Sequence, residues 1–260
     1  MGEGKTLQLF DHPDEEFWAL VPVKSLSRTK QRLKSCLGRD RPGLTIAMLK
    51  DVLNALAHSR EVTRIAVVTA DPLVSDVAKN RGALVVDEVE ANGMIEALEL
   101  GVSTIGRMGG RRVAILPADI PLVTGPELDR VLHELRIQYR ARGDNITGIG
   151  PSKDRGGTNI LCIDTGRPLP LRYGPGSYRL HRECALEHGS QPVPLHSPAI
   201  ELDIDEEKDL DEFMSFCLSN AEFRETETWQ FLQGKGYINH AGQAEMVHGN
   251  EQSDSSPSKI

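Results

Sequence analysis

Positive charge is in short supply in this 260-residue chain: 30 lysines and arginines face 38 aspartates and glutamates, a formal net charge of -8. A general nucleic-acid binder has the opposite balance, because its affinity comes from cations that displace the counterions of phosphates. No nucleic-acid partner is expected, and any phosphate-binding surface must be local. Cysteine is scarce too. Cys36, Cys162, Cys184 and Cys217 form no Cys-x-x-Cys pair, which excludes a zinc knuckle and a redox pair and leaves reduced thiols. No apolar run approaches the roughly 20 residues that span a bilayer, so no membrane partner and a cytoplasmic location are expected. Internal repeats and an obvious catalytic histidine are also missing.

What is present suits one large α/β domain, since a chain of this length buries a full core without metal or disulfide staples. We expect an N-terminal extension at 1–16, a catalytic domain at 17–220 and a partly disordered C-terminal extension at 221–260, with a mobile polar tail at 248–260. Short β-branched runs at 17–23, 64–70, 83–87 and 112–118 alternate with amphipathic stretches at 44–58, 72–81 and 93–108, the pattern of βα units and a mainly parallel sheet. A long helix follows near Pro126. Strands are then expected at 145–152, 156–164 and 199–205, with a helix at 177–189, so that a parallel nucleotide half leads into a mixed acceptor half.

In LPADIPL, residues 116–122, an apolar strand runs into Asp119 and is stopped by Pro121. Ligands in open α/β sheets bind beyond the carboxyl ends of strands, which puts Asp119 where chemistry usually happens, although such a residue also makes turns and caps. In ELDID, residues 201–205, Asp203 and Asp205 fall two apart. On an extended chain that spacing sets both carboxylates on one side with Ile204 turned inward. A cation is a natural reason to hold them there, and Mg²⁺ favours a few carboxylates plus substrate phosphates. The competing reading is an acidic run favouring the start of the next helix.

Directly after the first strand, residues 22–41 crowd seven basic side chains, of which Lys24, Lys30 and Arg32 are the candidates for holding a triphosphate. The glycine pairs at 156–157 and 174 and 176, with Thr158, Asn159 and Ser177, permit close backbone approach and could bind an anion, or simply form a turn and an N-cap. The GEGKT at residues 2–6 lacks the preceding strand and first glycine of a phosphate loop and is discounted.

Taken together and in order, PVKSLSRTKQRL, LPADIPL, GGTN, YGPGSYRLH and DIDEEKDL resemble the guanylyltransferases of coenzyme F-420 biosynthesis, from about Trp18 to Phe213. The resemblance implies a Rossmann-like three-layer sandwich of the glycosyltransferase-A-like nucleotidyltransferase type. It further implies GMP transfer from GTP to a small phosphorylated acid, with pyrophosphate released and the product passed to a downstream deazaflavin transferase. The acceptor would be 3-phospho-D-glycerate or 2-phospho-L-lactate, with phosphoenolpyruvate a third option. By similarity, Asp119, Asp203 and Asp205 fall on the metal-binding acids, Lys24, Lys30 and Arg32 on the nucleotide side, and Thr158, Gly174 and Ser177 on the acceptor side. Two departures stand out: Gly93-Met94-Ile95 replaces a Gly-Leu-Asn, and Tyr173 replaces a phenylalanine. A homodimer fits this picture. The rival expectations are a transferase of the same fold acting on molybdopterin or a sugar phosphate, and a non-catalytic nucleotide-binding protein.

Overall fold

The computed structural model describes residues 16–87 and 93–238. The expectations for residues 1–15, including GEGKT, and for the 248–260 tail lie outside them. The elements run β1 (Phe17–Pro22), α1 (Lys34–Leu37), α2 (Arg41–His58), β2 (Val62–Thr69), α3 (Pro72–Asn80), β3 (Leu84–Asp87), α4 (Met94–Arg107) and β4 (Arg112–Ile115). They continue with α5 (Gly125–Arg142), β5 (Ile146–Pro151), β6 (Thr158–Asp164), α6 (Ser177–Glu187), β7 (Gln191–Pro194), α7 (Pro198–Glu201), α8 (Glu207–Ser219) and α9 (Glu227–Gly234).

Among the described residues, seven strands form one sheet in the order β3-β2-β1-β4-β6-β5-β7. Only β6 runs against the others, pairing antiparallel with both β4 and β5. Because β1 is apolar at every position, it must be covered on both faces. Phe17, Ala19 and Val21 pack with α2, α3 and α5, whereas Trp18 and Leu20 pack with α4 and the loop before α6. Three layers follow from this alternation. Gly101 lets α4 come close to β1: a Cβ there would sit 2.7 Å from a Leu20 methyl. Among the described residues, no helix is long and apolar enough to cross a membrane.

A third apolar cluster joins Leu33, Leu44, Met48, Ile204, Phe213, Trp229 and Leu232. It shows that the chain after residue 221, where sequence periodicity fades, contributes α9 to the packed body. The start of α9 is held from outside: the buried carboxylate of Asp51 accepts from Glu227 N at 2.7 Å, Thr228 N at 2.9 Å and Thr228 Oγ1 at 2.6 Å. Burial pushes the Asp51 carboxyl up to about 6 despite those three donors.

Two expectations need correction. The strand at 199–205 does not exist: residues 199–201 close the short helix α7, and 202–205 form an extended segment outside the sheet. Ser197 caps this helix by accepting from Ile200 N at 3.3 Å, and Pro198 occupies its first turn, so a start signal overrides the β-like alternation. Strand β7 was not expected at all, because its sequence, QPVP, carries two prolines. It survives because it lies at the edge. Gln191 N and Leu195 N donate inward to Asn145 O and Ile149 O, so Pro192 and Pro194 fall at positions whose missing N–H would face outward.

Candidate active site

The ladder between β1 and β4 ends with Leu116 N donating to Leu20 O at 3.0 Å, after which the chain leaves the sheet and delivers Asp119 just beyond the carboxyl end of β4. The 202–205 segment is fastened directly to it, with Ile204 N donating to Asp119 O at 3.0 Å and the Ile204 side chain fully buried. Ile204 is thus turned inward although the segment is no strand, with the half-buried Asp203 and the exposed Asp205 on either side of it in the chain.

A bulge positions the next residues. The β5–β6 register slips between Gly150 paired with Ile160 and Pro151 paired with Thr158, leaving Asn159 as the extra residue. Asn159 Nδ2 lies 2.9 Å from Ile200 O, 3.2 Å from Glu201 O and 3.0 Å from Asp203 Oδ1, so it latches the end of α7 and holds Asp203 in place. Thr158, the residue before it, meets His181.

Lys30 occupies the centre of the acids. Its backbone is left-handed at φ 46°, and the loop carrying it is anchored by Leu26 N to Asp71 Oδ2 at 2.9 Å and by Arg41 Nη1 to Thr29 O at 3.0 Å. The ammonium lies 2.5 Å from Asp119 Oδ2 and 2.6 Å from Asp205 Oδ1, with only 5% of the side chain exposed. Burial would lower its pKa, but the two carboxylates more than offset that and hold it above the ordinary lysine value. Arg32 is exposed and pairs with Glu206 at 2.8 Å, next to Asp205 in the chain. Lys24 is exposed on the loop leaving β1.

Two observations bear on a divalent cation. Asp119 Oδ1 is buried and has no hydrogen-bond partner among the described residues. The Asp203 carboxyl is pushed up to about 6 by burial and by the charges of Asp119 and Asp205, the condition that a bound cation relieves. All the donors are hard oxygens, which suits Mg²⁺. Among the described residues, however, no three His, Cys, Asp or Glu side chains are already arranged around a metal position, and the resident cation is Lys30.

The remaining predicted residues form a second wall. Gly174, at φ 134°, adopts a backbone that other residues resist, and its carbonyl accepts from Ser177 N at 3.0 Å. Ser177 is buried in the first turn of α6, whereas the N-cap is Gly176, so no side chain caps this helix start. Thr158 Oγ1 lies 3.0 Å from His181 Nδ1, and Arg172 N donates to His181 Nε2 at 2.9 Å. Tyr173 packs edge-on against the same ring at 4.8 Å. Asn159 and His181 are thus the organisers that the sequence understated, and only the polar residues following GG in GGTN hinted at the first. Ile95, at the departure noted above, packs on the apolar cluster beneath α4.

Residues 17–233 match the family described as guanylyl transferase CofC like. The chain belongs to this family. The match extends past Phe213, where the resemblance was expected to end, and takes in most of α9. A phosphoenolpyruvate guanylyltransferase of Rubrobacter xylanophilus is 34% identical over 194 residues, covering 74% of this chain and 91% of the relative. One from Conexibacter woesei is 32% identical over 195 residues, covering 75% and 85%. In fold, the chain is similar to a Desulfovibrio desulfuricans protein assigned to the nucleotide-diphospho-sugar transferases, with a TM-score of 0.66, 20% identity and coverage of 84% and 94%. It is also similar to a cytidylyltransferase from Leptospira borgpetersenii, with a TM-score of 0.54, 13% identity and coverage of 85% and 94%. The three-layer α/β fold expected from the sequence is the fold observed.

Proposed function

We propose that this protein transfers GMP from GTP to a small phosphorylated acid and releases pyrophosphate, as a step in coenzyme F-420 biosynthesis. The observation that carries this reading is the buried Lys30 ammonium bridging Asp119 and Asp205 beyond the sheet. Such a concentration of paired charge suits reactants that are themselves phosphates. Relatives named phosphoenolpyruvate guanylyltransferase favour phosphoenolpyruvate as the acceptor over the phosphoglycerate and phospholactate first expected.

In this reaction an oxygen of the acceptor's phosphate attacks the α-phosphorus of GTP. One P–O bond forms, the α–β anhydride bond breaks, and the electron pair leaves with pyrophosphate. A phosphate monoester is already largely ionised at neutral pH, so no general base is needed. Asp119, Asp203 and Asp205 are the residues that would hold Mg²⁺, which when bound supplies charge neutralisation at the phosphates. Lys30 adds a fixed cation whose charge burial protects from screening. Lys24 and Arg32 extend positive charge along the nucleotide side, while Thr158, Gly174 and Ser177 bind the acceptor. Asn159 keeps Asp203 directed at the site.

Pyrophosphate release measured with GTP, Mg²⁺ and each of the three acids in parallel tests the proposal, with a deazaflavin and its transferase added to trap the product. Release with phosphoenolpyruvate above the others is expected. GTP binding without release from any acid would overturn the reading in favour of another acceptor class or a non-catalytic role.

A further inference from the structure

His181 is 97% buried, since only 3% of it is exposed, and each ring nitrogen has one partner. The partner of Nε2 is the backbone N–H of Arg172, which can only donate, so Nε2 must be the bare nitrogen. A neutral imidazole then carries its proton on Nδ1. Burial and the charge of Arg172 lower the ring's pKa to about 4, in keeping with a neutral ring near pH 7. The Nδ1 proton therefore points at Thr158 Oγ1, 3.0 Å away, and the threonine oxygen accepts.

A hydroxyl has one proton to give. Among the described residues, the His181 ring is the hydrogen-bond partner of the Thr158 side chain, and that bond uses an oxygen lone pair, not the proton. We propose that His181 is a positioning residue that fixes the polarity of Thr158, making its hydroxyl an obligatory donor to an oxyanion of the acceptor, the carboxylate of the phosphorylated acid. The relay runs from the Arg172 amide through the imidazole to Thr158, and it begins in the loop that carries Gly174. A substrate group able only to donate would meet a donor and be rejected. This rests on the reading of Thr158 as part of the acceptor wall, but the tautomer itself does not.

The test has two arms. In ¹⁵N-histidine-labelled wild-type enzyme at neutral pH, His181 is expected to show a protonated Nδ1 and a bare Nε2. A protonated Nε2 or an imidazolium overturns the proposal, whatever the reaction turns out to be. In kinetics, His181→Asn retains an amide donor near the Nδ1 position, whereas His181→Gln retains an acceptor near Nε2. His181→Gln should raise the KM for the acceptor by about 10- to 100-fold, the size of a lost hydrogen bond to a charged group, with the KM for GTP unchanged, and His181→Asn should restore most of it. Thr158→Val should raise the same KM alone and add little to His181→Gln. Additive losses, or equal losses in both substrates, overturn the relay. A wild type that turns over no phosphorylated acid sinks the functional reading and the acceptor-directed part with it, leaving only the tautomer result standing.

Discussion

The ammonium of Lys30 lies 2.5 Å from Asp119 Oδ2, which makes a lysine the counter-ion at the position where sequence spacing called for a metal. Lysine and acid come from loops 89 residues apart in the chain, and each is buried enough that losing its partner should be costly. Lys30→Met should cut turnover by about 100-fold or more, the scale of removing a group that stabilises developing charge. Its melting temperature should fall in EDTA and recover with Mg²⁺, as the metal replaces the missing charge. An unchanged melting temperature together with a near-normal rate would contradict the assignment.

Asp119→Asn preserves shape but removes a charge, and its Oδ1 has no partner among the described residues to compensate. Turnover should drop by about 1000-fold if this carboxylate holds the metal, a cost comparable to losing a single strong electrostatic contact in a transition state. Near wild-type activity at saturating Mg²⁺ would sink the metal role.

Asn159→Ala removes the link between the bulge and Asp203 while leaving every proposed metal ligand in place. The expected result is a weaker apparent affinity for Mg²⁺, by about 10-fold, on the scale reported for groups that orient ligands. Titration of the metal dependence of pyrophosphate release checks this, and an unaltered curve would show that Asp203 needs no such support.

Asp51 gives a pH signature unconnected with catalysis. Its folded pKa, about 6, is above the ordinary 3.8, so between those values the folded protein keeps a proton that the unfolded chain has released. Stability from this group is therefore greatest at low pH and declines as pH rises through the window, flattening above about 6, by at most about 3 kcal/mol. Denaturant unfolding of wild type and Asp51→Asn should show their stability difference moving in that direction between pH 4 and 6. A difference independent of pH would show that the three donors balance burial, and one moving the opposite way that they outweigh it.

Leu232 is fully buried in the cluster that joins α9 to α2. Leu232→Ala should cost about 2–5 kcal/mol, seen as a lower unfolding midpoint. A loss under about 0.5 kcal/mol, typical of surface substitutions, would mean that α9 is not part of the cooperative unit.

Much of this was legible in the sequence because strand ends and apolar periodicity are local. The run into Asp119 and the inward Ile204 could be read from neighbours in the chain. What could not be read depended on partners far away. The left-handed turn that brings Lys30 to Asp119 has no signature at a lysine, and the His181 relay joins α6 to a bulge 23 residues upstream. The α7 helix was hidden by alternation that mimics a strand, and α9 is too short at eight residues for its periodicity to register. Its place is fixed by Asp51, 176 residues earlier.

The two prolines of β7 also bear on how the molecule meets copies of itself. A sheet grows when a newcomer finds both donors and acceptors along an open border, and here the outward donors at positions 192 and 194 have been removed. That border is closed to strand-by-strand addition, so crowding on this side should not seed fibrils. A homodimer, if one forms, has to use helices or loops there, and its partner cannot be zipped on as an eighth strand beside β7.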